Sequence, residues 1–299
     1  MSILSSTQGT PERVWSLVSL VAANDGRIDR AEAASWLNPT FVENNQLIAE
    51  KDSFAQVQGA ATALGALTVV NKVLELNPEC DTADYLSFAD WTHGHLRSLE
   101  SVEKDAVILE AYAWVLARCQ QEGDARWFTT MAAGGLADAI NEALPEGSDD
   151  DGERRMNTSK LASWRRWLIF LGLMEELPFS GAFRFHLSAT KRIAREIASS
   201  DLPRDVEMSA DDFLFRIRNC GPYLDGGKMF LESARNNRIQ PDDRRLSPIV
   251  SSALRDLHDA GVIELKILGD RQGYHSLTGD IAHRVAAFHA VTVRGEGQL

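Results

Sequence analysis

Cysteine is scarce in this 299-residue chain: Cys80, Cys119 and Cys220 are odd in number and far apart. A disulfide framework needs pairs, and a zinc site needs clustered Cys and His, so neither is expected and a reducing cytoplasm is the expected setting. Long apolar runs are missing too. None approaches the roughly 18 residues that a membrane-crossing helix requires, so no membrane partner is expected. The opening Met1-Ser-Ile-Leu-Ser-Ser-Thr-Gln8 puts no basic residue ahead of an apolar core, which argues against export. Also absent are a phosphate-binding glycine-rich loop, a nucleophile elbow and a Cys-x-x-Cys pair. An enzyme is therefore not expected, and neither is a cofactor or a metal. The apolar fraction of 44% and charged fraction of 25% suit a globular chain with true cores. Its length leaves room for roughly two to three domains.

Positive charge is in short supply overall, with a net charge of −12. Phosphate neutralisation by Lys and Arg supplies most non-specific affinity for DNA, so this balance opposes a nucleic-acid partner. Its distribution reverses that inference locally. Residues 1 to 152 hold 9 basic against 24 acidic residues, whereas 153 to 299 hold 22 against 19. Within 153 to 195 there are nine bases against Glu153, Glu175 and Glu176. A DNA-facing surface is expected there.

The chain also repeats a pattern. Trp167-Leu-Ile-Phe-Leu-Gly172-Leu-Met-Glu175 precedes Phe183-Arg-Phe-His-Leu-Ser-Ala-Thr190 and an apolar-periodic run from Ile193 to Ile197. Later, Leu254-Arg-Asp-Leu-His-Asp-Ala-Gly261-Val-Ile-Glu264 precedes Gly273-Tyr-His-Ser-Leu-Thr278 and a run from Ile281 to Phe288. Each copy predicts a helix closed by a left-handed Gly, a short hairpin and another helix. That order describes a winged helix, a helix-turn-helix variant whose second helix enters the major groove. Leu64-Gly-Ala-Leu67 suggests a degenerate third copy, with a long insertion between its helices and no evident wing.

The fold class expected is mainly α with short β-hairpins: tandem winged-helix modules plus a helical extension. Residues 1–80 form the degenerate winged-helix-like domain and 81–144 the extension, where Trp91, Trp114 and Trp127 read as aromatic core. An acidic linker covers 145–156, around Pro145-Glu-Gly-Ser-Asp-Asp-Asp-Gly-Glu153. Winged helices follow at 157–203 and 204–299. Thr10 with Pro11, and Ser247 with Pro248, mark helix starts.

In the middle module Leu161, Trp164, Leu168 and Leu171 form the expected inward face, leaving Lys160, Ser163, Arg165 and Arg166 toward solvent as DNA contacts. Arg184 on the hairpin, with Lys191, Arg192 and Arg195 behind it, extends the set. In the last module Arg244, Arg245, Ser251, Ser252 and Arg255 are expected to be exposed, with Arg271 and Gln272 at the wing tip. Asp242, Asp243, Asp256 and Asp259 stand close enough to offset them, which favours a protein interface there. A winged helix also serves as a docking module, so a protein-protein scaffold or a transcriptional regulator is the alternative.

Three patterns resemble chemistry. Pro241-Asp242 with Glu264-Leu-Lys266 matches a metal-dependent nuclease outline, but those residues already have places in the winged-helix reading. His93-Gly-His95 near Asp84 and Asp90 lacks a third ligand at helical spacing. The stretch from Asn24 to Glu32 lacks the repeated acidic ligands of a calcium loop and reads as a turn between helices.

Gly9-Thr-Pro-Glu-Arg-Val14 ahead of a leucine-rich helix, Leu64-Gly-Ala-Leu67, the helix centre Ala113-Trp-Val-Leu-Ala117 and the overall length together resemble the DpdG family. These proteins belong to bacterial clusters that insert 7-deazaguanine derivatives into DNA and restrict unmodified DNA. The resemblance implies an accessory, non-catalytic member of a multi-protein modification-restriction system acting in phage defence, with duplex DNA and other subunits as partners. It brings no catalytic residues to carry over.

Overall fold

The computed structural model describes residues 2–37, 41–43, 46–48, 53–145, 154–179, 181–267 and 273–295. The chain is mainly helical with small antiparallel β-hairpins. It divides into two compact units, Met1–Ala106 with Gly147–Leu171, and Val107–Glu146 with Gly172–Leu299. No helix of the described residues is long and apolar enough to cross a membrane.

In the first unit the helix Pro11–Ala23 starts where the sequence signals place it, with Thr10 extended and Pro11 in the first turn. The Thr10 hydroxyl makes no capping bond, so the start rests on proline's fixed φ and on burial of Val14, Leu17, Val18 and Val21. Asp25 and Gly26, both at positive φ, end it. The strand Arg27–Asp29 leads into the helix Arg30–Leu37, and the helix Phe54–Ala63 follows. Strands Leu67–Val70 and Val73–Leu76 then form a hairpin that the sequence did not announce. Its turn is Asn71-Lys72, with φ of 48° and 68°. A two-residue hairpin turn of type I′ needs positive φ at both positions, which Gly ordinarily helps to supply; here Asn and Lys adopt it instead. Val73–Leu76 is the central strand, pairing Leu74 with Ile28 on one side and Val69 on the other.

The helices Tyr85–Ser98 and Thr158–Leu171 complete this unit and pack on each other. Asp84 caps the former by accepting the Ser87 N–H at 2.7 Å, which holds its carboxyl below the usual range. Phe88 sits at the centre of an aromatic cluster, its ring 5.4 Å from Trp15, 5.9 Å from Trp91 and 5.6 Å from Phe170.

The second unit is organised by the helix Val107–Glu122, buried on nearly every side. It packs on the helix Lys228–Asn236, and Tyr112 meets Tyr223 edge to face at 5.5 Å. Trp114 joins its core, the half-buried Trp127 meets it edge to face at 5.6 Å, and the Arg118 guanidinium lies 4.1 Å from the Trp127 ring centre. The hairpin of Met174–Glu176 and Phe185–Leu187 and the helix Thr190–Ser199 follow Gly172. A strand at Glu207–Ser209, the helices Ala210–Cys220 and Pro248–Asp259, and strands Ile263–Lys266 and Ala290–Val293 build a three-stranded antiparallel sheet on helices. Its central strand, Ala290–Val293, is wholly buried.

One expected element is different. The run from Ile281 to Phe288 is not a helix: it is a turn and extended chain ending in the strand Ala287–Phe288, which pairs with His275–Ser276. The β-branched Val291-Thr-Val293 beyond it claims the middle of the sheet, and the chain from 281 must stay extended to deliver it.

Gly172, at φ 78°, shows why its position admits no side chain. A Cβ there would lie 2.8 Å from Arg195 Nη2 and 3.1 Å from the Arg192 amide, while the Gly172 carbonyl accepts the Arg192 N–H at 3.2 Å. Gly172→Ala is expected to cost about 1–3 kcal/mol. Urea denaturation measures this, and an unchanged midpoint would contradict it.

Candidate nucleic-acid interface

The helix Thr158–Leu171 is started by Asn157, whose Oδ1 accepts the Lys160 N–H at 2.9 Å. Leu161, Trp164, Leu168 and Leu171 face inward as expected. Lys160 and Ser163 do not face solvent: they are 3% and 8% exposed, and Lys160 Nζ donates to the Arg154 carbonyl at 2.8 Å. The cause is a second apolar column. Trp167 and Phe170 are also buried, which widens the packed face until it takes in Lys160, one turn before Trp164, and Ser163, one turn before Trp167. Arg165 is half-buried, and burial lowers the pKa of its guanidinium. Arg166 is exposed, beside Ser159 and Ala162.

In the second unit Arg184 is exposed, paired with Glu176 and set over the Phe185 ring at 5.3 Å. Lys191 is exposed and 3.3 Å from Glu175. Arg192, expected at the surface, is 2% exposed with Nε 3.1 Å from Glu196. Its amide is tied to the Gly172 carbonyl, so this first helical turn is packed. Arg195 is half-buried over Gly172.

The helix Pro248–Asp259 starts at Ser247, whose Oγ accepts the Val250 N–H. Arg244 and Arg245 before it are exposed; Arg244 Nη1 reaches Asp211 at 3.1 Å and His275 at 3.2 Å. The hydrogen bond from His275 holds the Asp211 carboxyl below its usual range, while burial lowers the His275 pKa. Ser251 and Arg255 correct the expected exposed set. Ser251 accepts the Thr278 N–H at 2.9 Å, and Arg255 Nε donates to the Val285 carbonyl at 3.0 Å. Arg255 is covered by the extended chain that stands where a helix was expected and Ser251 by the segment just before it, and burial lowers the Arg255 pKa. What the helix leaves exposed is Ser252, Asp256 and Asp259. Arg271 and Gln272 lie outside the described residues.

The chemical patterns find structural places. Asp242 accepts the Arg244 N–H at 2.9 Å, and its own N–H donates to Gln120. Glu264 is held by Arg294 and Lys266. His93 is buried, and His95 stacks on Trp91 at 5.7 Å. Among the described residues no three His, Cys, Asp or Glu side chains group to hold a metal ion.

Sequence reasoning passed over Asp225. This carboxyl is fully buried; Oδ2 accepts the Ser247 N–H, Oδ1 has no hydrogen-bond partner among the described residues, and Arg218 Nε donates to its carbonyl at 2.6 Å. Burial pushes its pKa up to about 6. The only local cue was the Asp-Gly-Gly turn; Ser247 lies 22 residues away in the sequence.

No curated protein and no solved structure matches the chain. A family model described as DpdG-like matches residues 1–271. With most of its length covered by that one match, the chain belongs to the DpdG-like family.

Proposed function

We propose that this chain is a non-enzymatic, DNA-associated accessory subunit built on tandem winged-helix modules and working in the cytoplasm. Membership of the DpdG-like family associates it with the Dpd system of 7-deazaguanine DNA modification. The modular reading is supported by Gly65, Gly172 and Gly261, at φ 72°, 78° and 72°, each followed by a β-strand. It is supported too by two three-stranded sheets in which the last strand is central, Val73–Leu76 in one and Ala290–Val293 in the other.

The observation that carries the DNA reading is the collection of exposed bases between residues 154 and 195 in a chain of net charge −12. Arg166 in the first unit, and Arg184 and Lys191 in the second, are the proposed phosphate contacts; Lys160 and Arg192 support the fold, and Arg195 is half-buried. Duplex DNA should then bind with an affinity that falls steeply with salt. Arg166→Ala with Lys191→Ala should flatten the log-log slope by roughly 2, about 1 per phosphate contact. Fluorescence anisotropy across a salt series measures this. Binding unaffected by salt, or by the double substitution, would reject the assignment, and magnesium-dependent plasmid nicking lost in Asp242→Ala would reject the non-enzymatic role.

A second reading, a protein scaffold, is favoured for the last module by one observation. The helix Pro248–Asp259 exposes Ser252, Asp256 and Asp259 with no base among them, which suits a protein partner better than a phosphate backbone.

A further inference from the structure

A cavity of about 370 Å³ opens in the second unit beside the last turns of the helix Thr190–Ser199. Ile197, Val262 and Gly295 form part of its wall, and the charged side chains that line it among the described residues are Arg195, Arg204 and Arg294. Three guanidinium groups border this one concave space, which gives it the positive character that draws an anion.

Arg204 and Arg294 are held on a firm framework. Arg204 bridges to Val293, the last residue of the central strand, and its Nη2 donates to the Ile197 carbonyl at 2.6 Å. Arg294 follows that strand; its N–H donates to the Val262 carbonyl at 2.9 Å and its guanidinium is steadied by Glu264 and by Asp205 at 3.6 Å. Those two carboxylates are not part of the cavity lining. A guanidinium carries five N–H donors in a fork, and among the described residues Arg204 engages hydrogen bonds through one nitrogen only. The remaining donors suit the tetrahedral oxygens of a phosphate.

We propose that this cavity binds a phosphate group, either of a DNA backbone or of a free nucleotide. Its DNA form rests on the function proposed above, but Arg204 and Arg294 lie outside the contacts named there, so the two readings are separable.

The test uses the full chain and two probes, duplex DNA by anisotropy over a salt series and inorganic pyrophosphate by calorimetry. Arg294→Gln with Arg204→Gln is the main variant. Because Arg204 also ties down a helix end, Arg294→Gln alone serves if the double variant melts early. For a backbone phosphate, the DNA salt slope should fall by roughly 1 for each arginine removed. For a free phosphate, pyrophosphate affinity should drop roughly tenfold. Loss of pyrophosphate binding in a chain that never binds DNA upholds the cavity and rejects the DNA-associated function. DNA binding that responds to Arg166 and Lys191 but not to Arg204 or Arg294, with pyrophosphate unbound or unaffected, rejects the cavity alone. Failure of the wild-type chain to bind either probe rejects both.

Discussion

Phe88→Ala is expected to lower the unfolding free energy by about 3–5 kcal/mol, the range for truncating a fully buried aromatic side chain. The large value follows from position. Phe88 is 0% exposed and touches Trp15, Trp91 and Phe170, which come from three helices of the first unit. Removing its ring takes away the transfer energy of the benzyl group and leaves a void among rigid rings that cannot collapse into it, and aromatic pairs add about 0.5–1.5 kcal/mol beyond area burial. Urea denaturation followed by tryptophan emission measures the loss, since Trp15 and Trp91 flank the site. Phe88→Leu, which keeps most of the volume, should lose less. A loss below about 1 kcal/mol in Phe88→Ala would mean that these rings do not pack as described.

Asp225→Asn is expected to change how stability depends on pH. A carboxyl whose folded pKa is about 6, against an ordinary value of about 3.9, binds its proton more tightly in the folded chain. Its contribution to stability is therefore fully present below about pH 4 and is lost as pH rises through 6. The whole loss is roughly 3 kcal/mol. Asn keeps an oxygen for the Ser247 N–H but never ionises, so the stability of the variant minus that of the wild type should climb by roughly that amount from pH 4 to pH 8. His275 acts in the opposite sense, because a histidine with a lowered pKa loses stability as pH falls through its usual range. It is common to both proteins and cancels in the difference. Chemical denaturation at a series of pH values would detect the climb, and a flat difference would show that Asp225 ionises as freely folded as unfolded.

How far the fold could be read in advance depended on whether a signal was local. Pro11 after Thr10, Pro248 after Ser247 and the Gly residues at 65, 172 and 261 act within one turn of chain, and the helices they bound lie where the spacing predicts. The hairpin after Gly65 escaped notice because Asn71-Lys72 performs a turn that Gly usually signals. The stretch from Ile281 to Phe288 has helical periodicity, but its last residues pair with His275–Ser276 and the strand beyond it, Ala290–Val293, pairs with Ile263–Lys266, contacts that a helical wheel does not contain. The same limit governs the candidate contacts. Counting residues around one helix identified Arg166 as exposed, yet Lys160, Arg192 and Arg255 were lost to neighbours that no helical wheel contains. Arg204 and Arg294 are 90 positions apart, and only a shared strand register brings them together.

The division of the chain has a consequence for its biosynthesis. The first unit takes its closing helix, Thr158–Leu171, from beyond a forty-residue stretch that belongs to the second. A nascent chain that has emerged only as far as residue 145 therefore presents Tyr85 and Phe88 without Phe170, the ring that covers them at 4.9 and 5.6 Å. At roughly 5–20 residues per second on the ribosome, that apolar surface stays open for seconds, a window in which a chaperone or a co-translated partner can reach it.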